Sequence, residues 1–509
     1  MRDDSDCEWL LEQIYENSLS CFILGKIKDH ATLKGFSNYV HVVWFVEDYN
    51  LPKESKLYKN VYPMTLDSID VDKVEEIIKT LLKEDNHSVP AIYCSNSITK
   101  INPSAYNIIL QKIQIFSEKK LRAYNTIQSL GFLSQKNIIR NIGNFLENQL
   151  SEKTKDFLQN KPIAIIGGGP SLNKSIEVLK SIHKKIILFS TDTACLHLAK
   201  SGLVPDFVIS IDPEKRPDDY ASFDVQIKSL FLSLKSPISW MKFNTEKTHF
   251  INGTNLVDQW LSENGFKSNI PTIRGNVGIT AVELAEFWGC NPIMLFGMDH
   301  CISNSGKIYT SECPNTDDFK NQHELTKSAK TVIGNYSPSV KTHVLNDWEN
   351  LDKLISNISR KVEVWNVTDW GAKFVNAKLV HPDKFFFENN AVLNKTKFKL
   401  QNIENNNESG YICSLVQIIE DILLKNKFHI DTLNSFKTCD NHLYSVIAKI
   451  LQDKDIFKLF GNFTLKTTPL LMKWSELPQE KKDEILFETQ SMTYLLQTTL
   501  KSLKNKFLL

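Results

Sequence analysis

One stretch of the sequence combines residue types and spacing that suit the binding of an anion. An apolar run at residues 163–166 is followed by three glycines, a proline and a serine at residues 167–171, and then by a helix-compatible segment. This order predicts a buried strand, a tight turn and a helix N-terminus. Bare amides and the positive end of a helix dipole attract anions there, and glycines let a ligand approach closely. We interpret the turn as a nucleotide-phosphate site.

Two familiar fingerprints are missing from this turn. No Gly-Lys-Ser/Thr follows at the offset of a P-loop, and Leu172 stands where the last glycine of a GxGxxG motif would lie. A plain NAD or P-loop ATP site is therefore disfavoured. A ligand-free turn is the alternative, but three successive glycines cost backbone entropy, which favours ligand binding.

Asp192, Asp212 and Asp299 each follow an apolar run that reads as a short strand. Asp192 and Asp212 would accept hydrogen bonds from a ribose or a base. Asp192 is equally well explained as a cap of the helix that begins near Ala194. Asp212 precedes a proline in no obvious cap position, which favours a ligand-binding role.

A second glycine-containing turn leads into a helix at residues 275–280. Its amides would bind another part of the same anion, and a simple capping turn is nearly as good an explanation. Asp299 and His300 can supply a carboxylate and an acid/base group, although a lone histidine more often satisfies local hydrogen bonds. The candidate ligand-binding residues are Gly167, Gly168, Gly169, Pro170, Ser171, Thr191, Asp192, Asp212, Asn276, Val277, Gly278 and Thr280. Histidines and acidic residues show no ligand spacing, so no metal site is predicted.

The elements around these residues alternate between strand and helix. This pattern predicts an α/β fold with a central doubly wound, Rossmann-like parallel sheet, in which ligands bind at the carboxyl ends of the strands. Residues 1–155 are expected to form a small N-terminal α/β unit with connecting helices. Residues 156–385 would form the nucleotide-binding domain, and residues 386–509 an α-helical C-terminal domain.

The composition excludes several classes of protein. The 509 residues contain 60 Lys and Arg against 59 Asp and Glu, so no global field favours nucleic acid or an acidic membrane. No apolar run approaches the roughly 20 residues that span a bilayer, and the acidic start is unlike a secretory signal. The 9 cysteines are dispersed, as is typical of reduced thiols. We expect a soluble, cytoplasmic protein with no transmembrane segment.

Five ordered stretches carry a family resemblance. They are GGGPSL at residues 167–172, TDTA at 191–194 with PD at 205–206, NVG at 276–278, LFGMD at 295–299 and NVTDWGA at 366–372. With them the chain resembles the motility accessory factor (Maf) glycosyltransferases and the domain that these share with the archaeal 6-hydroxymethylpterin diphosphokinase, called MptE-like. The resemblance covers roughly residues 160–380, and the three-part layout is also similar.

The same domain is distantly similar to bacterial lipooligosaccharide sialyltransferases, whose Gly-Asn-Gly-Pro-Ser-Leu turn binds a CMP-sugar. The resemblance places Gly168 on the Asn of that turn, Asp192 and Asp212 on asparagines around the nucleotide, and Val277-Gly278 near the donor sugar.

The resemblance also implies catalytic candidates. Tyr309 would keep one of two phosphate-holding tyrosines, and Cys301 replaces the other. The general-base histidine of that family follows an Ile-Gly pair, where this chain has Asn335, so the base would lie elsewhere or be absent. The candidate catalytic residues are Tyr309, Asp299, His323 and His343.

The resemblance implies a glycosyltransferase that transfers a nonulosonic acid, of pseudaminic, legionaminic or sialic type, from a CMP-sugar to a Ser or Thr of a protein such as flagellin. No permanently bound cofactor is expected. One alternative is MptE-like diphosphate transfer from ATP to a hydroxymethylpterin, which requires Mg²⁺. Another is a nucleotide-sugar-binding protein that has lost turnover, which Asn335 and Cys301 would favour.

Overall fold

The computed structural model describes residues 7–15, 18–47, 58–66, 70, 74–81, 89–220, 226–266, 269–273, 275–310, 329–385, 403, 405, 412–436 and 441–507. The chain divides into two compact units. The first comprises residues 1–132, 438–449 and 462–487, and the second comprises residues 133–437, 450–461 and 488–509. The three-domain division by sequence stays a prediction.

The first unit contains a five-stranded sheet in the order β1-β5-β2-β3-β4. Its strands are β1 Trp9–Gln13, β2 Ser20–Leu24, β3 His41–Val46, β4 Val61–Thr65 and β5 Ala91–Ser95. Strand β1 is antiparallel to β5, and the remaining pairs are parallel. Helices α1 His30–Phe36, α2 Val74–Leu81 and the start of α3 Pro103–Asn148 also belong to this unit. The predicted N-terminal α/β unit is confirmed.

Alternate side chains of this sheet enter two cores, because successive residues of a strand point to opposite faces. Phe22 and Val43 pack with residues of α3, including Ile109. Ile23 and Trp44 pack on the other face with α1.

The second unit is built on eight parallel strands in the order β10-β9-β8-β7-β6-β11-β14-β15. The strands are β6 Ile163–Ile166, β7 Ile187–Thr191, β8 Phe207–Ser210, β9 Ile227–Leu232, β10 Thr245–Phe250, β11 Ile293–Phe296, β14 Val364–Val367 and β15 Lys378–Val380. From β6 the chain builds outward to β10 and then crosses back to place β11 on the other side of β6. The strand order therefore reverses between β6 and β11, as predicted for a doubly wound sheet.

Helices cover both faces of this sheet. They are α4 Leu172–Ile182, α5 Asp192–Lys200, α6 Pro217–Tyr220, α7 Leu256–Glu263, α8 Val277–Phe287 and α9 Leu345–Ile358. Ala164 and Ile166 of β6 pack in one core with residues of α4 and α5. Ile163 and Ile165 pack on the opposite face with residues of α8 and α9. An antiparallel ribbon of β12 Lys330–Val332 and β13 Val340–Thr342 lies between β11 and α9 in the sequence.

The C-terminal part of the chain is helical, as predicted. The helices are α10 Ile412–Ser435, α11 Asn441–Gln452, α12 Lys454–Met472 and α13 Gln479–Phe507. Helices α11 and α12 are separated at Asp453. The carboxylate of Asp453 accepts hydrogen bonds from the amides of Asp455 and Ile456 and so caps α12. Within the described ranges, no helix combines the length and apolar character needed to cross a membrane.

Candidate functional site

Ser171 and Asp299 join the two strands at the switch point. Ser171 follows β6 at the start of α4, and Asp299 follows β11. The Ser171 amide donates to Oδ2 of Asp299 at 2.8 Å, and the Ser171 hydroxyl donates to Oδ1. A carboxylate at a helix N-terminus is favoured by the helix dipole. The anion that binds the Ser171 amide is therefore a side chain of the protein itself.

Burial dominates the titration of Asp299. It raises the pKa of this carboxyl to about 6, while the hydrogen bonds from Ser171 act in the opposite direction. Asp299 is 4% exposed, and both of its oxygens are bonded. The structure thus places this predicted catalytic residue as a cap of α4.

The three glycines of the turn lie against the chain itself. A Cβ on Gly167 would lie 2.6 Å from the carbonyl oxygen of Gly297, and one on Gly169 would lie 2.6 Å from Oδ2 of Asp299. A Cβ on Gly168 would lie 2.7 Å from Cγ2 of Thr193. Close packing accounts for all three glycines, so the glycine run does not by itself indicate a ligand.

Asp192 is the first residue of α5 and is 1% exposed. Its Oδ1 accepts hydrogen bonds from the Thr193 amide at 2.6 Å, the Thr193 hydroxyl at 2.9 Å and the Lys215 ammonium at 3.1 Å. Its Oδ2 accepts from the Ser210 hydroxyl at 2.8 Å. These bonds satisfy the carboxylate, and Asp192 fixes the end of β7 to the end of β8.

Lys215 is a cation at this edge that sequence reasoning missed. Its ammonium donates to Thr193 Oγ1 at 2.7 Å as well as to Asp192. Burial lowers the pKa of Lys215, but the charges of Asp192, Tyr309 and Asp212 outweigh burial and raise this pKa above its usual range. The ammonium therefore stays charged. The available signal was a lysine three residues beyond a strand-ending aspartate.

Two further predicted residues have local partners at the same edge. The Thr191 hydroxyl donates to the carbonyl of Ile166 at 3.1 Å, which joins the ends of β7 and β6. Oδ1 of Asp212 accepts from the Glu214 amide at 2.9 Å. Asp212 thus caps a turn, and the residue is partly exposed.

Tyr309 and Thr310 return the chain to the glycine turn. The Thr310 amide donates to the carbonyl of Gly168 at 2.9 Å. Thr310 is 0% exposed, and its hydroxyl has no hydrogen-bond partner among the described residues. Tyr309 is 37% exposed. Because buried polar groups are nearly always hydrogen-bonded, this hydroxyl is a candidate to bind a water or a ligand.

Asn276 caps α8. Its Oδ1 accepts from the amides of Gly278 at 2.8 Å and Ile279 at 3.3 Å, and its carbonyl accepts from the Thr280 hydroxyl at 3.0 Å. Its Nδ2 donates to Oδ2 of Asp347 at 3.0 Å. This second turn is capped from within, which is the simpler of the two explanations considered.

Met298 brings the two turns together. A Cβ on Gly167 would lie 2.7 Å from its Sδ, and one on Gly278 would lie 2.3 Å from its Cε. Both glycine turns therefore contact one side chain, with Val277 beside Gly278 in α8.

His300 and His343 form an electrostatically linked pair. Burial lowers the pKa of both, that of His300 to about 4 with a contribution from His343. The charge of Asp347 acts in the opposite direction on His343. The Nδ1 of each ring is buried without a hydrogen-bond partner in the described part of the chain. Both rings are thus neutral near pH 7, the form that accepts a proton.

Asn335 has a structural role that explains its presence. Its Nδ2 donates to the carbonyls of Trp370 at 3.2 Å and Ala372 at 3.1 Å, and its amide donates to Gly371 at 3.0 Å. An imidazole has no single nitrogen that can donate to two carbonyls. Asn335 thus attaches the β12–β13 ribbon to the loop after β14. His323 lies outside the described residues.

The structure brings together most of the predicted site. Residues 167–171, Thr191, Asp192, Asp212, Asp299 and Tyr309 lie at the carboxyl ends of β6, β7, β8 and β11, and the α8 cap adjoins them through Met298. Within the part of the chain that the structure describes, no group of three or more His, Cys, Asp or Glu side chains is placed to hold a metal ion.

Residues 136–305 match the family model described as 6-hydroxymethylpterin diphosphokinase MptE-like. A 6-hydroxymethyl-7,8-dihydropterin pyrophosphokinase from Methanocaldococcus jannaschii is 30% identical over 96 residues, which are 17% of this chain and 40% of that protein. An uncharacterized protein from Treponema pallidum is 34% identical over 87 residues, 17% of this chain and 39% of its own. The chain thus spans about two fifths of the length of these relatives. The MptE-like resemblance is confirmed.

The fold resembles that of a Maf glycosyltransferase from Magnetospirillum magneticum AMB-1. The TM-score is 0.54 at 13% identity, over 96% of this chain and 79% of that protein. The resemblance in fold to Maf proteins is therefore confirmed. The sialyltransferase CstII from Campylobacter jejuni, in complex with a substrate analogue, cytidine-5'-monophosphate, aligns over 49% of this chain and 91% of its own with a TM-score of 0.22 at 13% identity. This structural similarity is too low to indicate a shared fold or function.

Proposed function

We propose that this chain is a glycosyltransferase that moves a nonulosonic acid from a CMP-sugar to a Ser or Thr hydroxyl of a protein such as flagellin. The observation that carries the proposal is the group of polar residues at the switch point beside Gly168. A charged lysine, a buried threonine hydroxyl that has no partner among the described residues and an exposed tyrosine meet there. Ligands of doubly wound sheets bind at such points.

The position of each residue suggests a role. The donor phosphate would lie beside Gly168, Lys215 and Tyr309, and Asp212 would accept hydrogen bonds from the ribose. Met298 lies next to both Gly167 and Gly278. The donor sugar would therefore lie near Val277 and Gly278, at the start of α8. The carboxylates of Asp192 and Asp299 are already hydrogen-bonded to Ser210 and Ser171. They would hold the strand ends in place and would not contact the ligand.

Transfer requires one bond to form as another breaks. The acceptor hydroxyl oxygen would attack the anomeric carbon, the bond from that carbon to the phosphate oxygen would break, and CMP would leave with the electron pair. His343 would take the hydroxyl proton, because burial lowers the pKa of its ring and the neutral ring can accept a proton. Positive charge at Lys215 and the Tyr309 hydroxyl would stabilise the departing phosphate.

The first experiment measures binding and transfer separately. Titration calorimetry with CMP is expected to show saturable binding by the wild type. His343→Gln should retain this binding and lose about a hundredfold or more in transfer rate, as is typical of a removed general base. His183, a partly exposed residue just after α4, offers a control, and His183→Gln should leave both unchanged. Absence of CMP binding by the wild type would overturn the proposal.

The MptE-like match over residues 136–305 favours a second function, diphosphate transfer from ATP to a hydroxymethylpterin. That reaction needs Mg²⁺, which prefers carboxylate and phosphate oxygens. Asp192 and Asp299 are already engaged by protein donors, so the metal would need other carboxylates at this edge, such as Asp212 after β8 and Asp369 after β14. A thermal shift with ATP and Mg²⁺, and none with CMP, would favour this function.

A nucleotide-sugar-binding protein without turnover is the remaining alternative. Asn335 supports it less than the sequence implied, because its side chain holds two carbonyls in the structure. A CMP-sugar that binds and is neither transferred nor hydrolysed when the acceptor is present would favour this alternative.

A further inference from the structure

We infer that Lys215 binds the phosphate of the donor nucleotide and that Asp192 positions Lys215 for this role. The inference rests on the proposed function in assigning a nucleotide to this crevice. It adds a residue outside the stretches that carry the family resemblance.

The first argument is geometric. Thr193 packs directly against Gly168, since a Cβ on that glycine would lie 2.7 Å from Thr193 Cγ2. The hydroxyl of the same threonine accepts from the Lys215 ammonium at 2.7 Å. Only one side chain therefore separates the ammonium from the glycine turn.

The second argument is the state of the neighbouring groups. Thr310 is bonded to Gly168 through its amide, and its buried hydroxyl has no partner among the described residues. The amide and hydroxyl of Ser171, which would otherwise bind an anion, are taken by Asp299. A phosphate at this turn must therefore use Lys215 and the groups around Gly168.

The third argument concerns charge. Asp192 accepts four hydrogen bonds, and the one from Lys215 holds the ammonium at the edge of the sheet. The Lys215 side chain is 19% exposed and that of Asp192 is 1% exposed. The cation is thus the accessible member of the pair.

The test compares CMP with cytidine, which lacks the phosphate. Lys215→Gln should weaken CMP binding by about tenfold to a hundredfold, the range for a charge-assisted hydrogen bond, and should leave cytidine binding within about twofold. Lys215→Arg should retain most of the CMP affinity. Because Lys215→Gln leaves Asp192 without its cation, the Asp192→Asn/Lys215→Gln double variant provides a second protein in which no buried charge is unpaired.

Lys228→Gln is the matched control. Lys228 and Asp206 form an ion pair of the same 3.1 Å separation at the opposite, amino edge of the same sheet. Its removal should leave the affinities for CMP and cytidine unchanged.

The outcomes separate this inference from the proposed function. If the wild type, Lys215→Gln and the double variant all bind CMP equally well, the role of Lys215 is overturned. The proposed function is not affected by that result. If the wild type binds ATP but not CMP, and Lys215→Gln no longer binds ATP, the proposed glycosyltransferase activity is overturned. The phosphate-binding role of Lys215 is then supported. Wild type that binds none of these phosphates overturns both.

Discussion

Ser171 and Asp299 lie 128 residues apart in the sequence, and the amide and hydroxyl of the serine both donate to the carboxylate of the aspartate. This contact closes the switch point between β6 and β11. It also fills the helix N-terminus that the sequence offers as an anion site. Under the proposed function, the phosphate of the nucleotide would lie beside Gly168 and Lys215 instead.

Replacing Asp299 should destabilise the second unit. Asp299→Ala removes both acceptors of Ser171 and the cap of α4, so we expect a loss of about 1–3 kcal/mol in the free energy of unfolding. Asp299→Asn keeps an acceptor for the Ser171 amide and should lose less. Urea unfolding measures both variants.

Asn255→Ala is the control for Asp299→Ala. Oδ1 of Asn255 accepts from two amides at the start of α7, at 2.9 and 3.1 Å, away from the glycine turn. Both variants should lose stability, and Asp299→Ala alone should also weaken CMP binding. Equal CMP affinities in the two variants would contradict the assignment of this turn to the donor.

A methyl group at Gly169 should not be tolerated. In Gly169→Ala the added Cβ would lie 2.6 Å from Oδ2 of Asp299, so β6 and β11 must separate and the melting temperature should fall by several degrees. Gly275→Ala adds the same group at the second turn, where no atom of the described residues beyond the chain neighbours lies within 4 Å, and should be neutral. A neutral Gly169→Ala would show that the two strand ends are not packed as described.

Asp258 should make stability fall as pH rises. Burial raises its pKa to about 6 in the folded protein, with hydrogen bonds from Gly253 and Asn255 and the charge of Lys235 opposing this. Its ordinary pKa is about 3.9, so the folded state binds the proton more tightly. The contribution to stability is complete below about pH 4 and is lost as pH rises through 6. Asp258→Asn should remove this dependence in unfolding curves measured between pH 4 and 7.

The titration of His249 should change stability with pH in the opposite direction to that of Asp258. His249 therefore serves as the comparison. Burial lowers its pKa to about 4, below the unfolded value of about 6.5. Its contribution to stability is present above pH 6.5 and is lost as pH falls toward 4. His249→Gln should reduce acid sensitivity, and matching pH slopes in the two variants would refute both assignments.

Introducing a histidine at position 335 should not create a catalytic base. Asn335→His loses hydrogen bonds to the carbonyls of Trp370 and Ala372, so we expect about 1–3 kcal/mol of destabilisation and no gain in the rate of transfer. Asn141→His is a matched control, since its amide also donates to two carbonyls, at 3.0 and 2.7 Å. If Asn335→His transferred the sugar faster than the wild type, position 335 would be the site of the general base.

The doubly wound sheet was predictable because β-branched and apolar runs alternate with helical stripes, and each run ends at a polar residue. Gly167, Asp192 and Asp299 were located by that rule. Their hydrogen-bond partners could not be predicted from the sequence, since the partner of the Asp299 carboxylate lies 128 residues away in the chain. Position along a strand is local in sequence, whereas the choice of hydrogen-bond partner depends on which strands become neighbours.

Lys215 shows the limit most clearly. It lies in an irregular segment after β8, where no periodic pattern marks a residue as buried or exposed. Its pairing with Asp192 depends on β7 and β8 being adjacent. Asn335 was difficult for the same reason, because its two carbonyl partners come from a loop more than thirty residues further along the chain.

The pairing of Lys215 with Asp192 has a consequence for selectivity in a phosphate-rich solution. An unpaired ammonium would attract every small anion that reached it. Because Asp192 already shares this ammonium, inorganic phosphate would gain little by competing for it under the proposed function, and tight binding would require the additional contacts that a nucleoside supplies. The crevice would therefore stay open to its donor in conditions where a bare cationic site would be saturated.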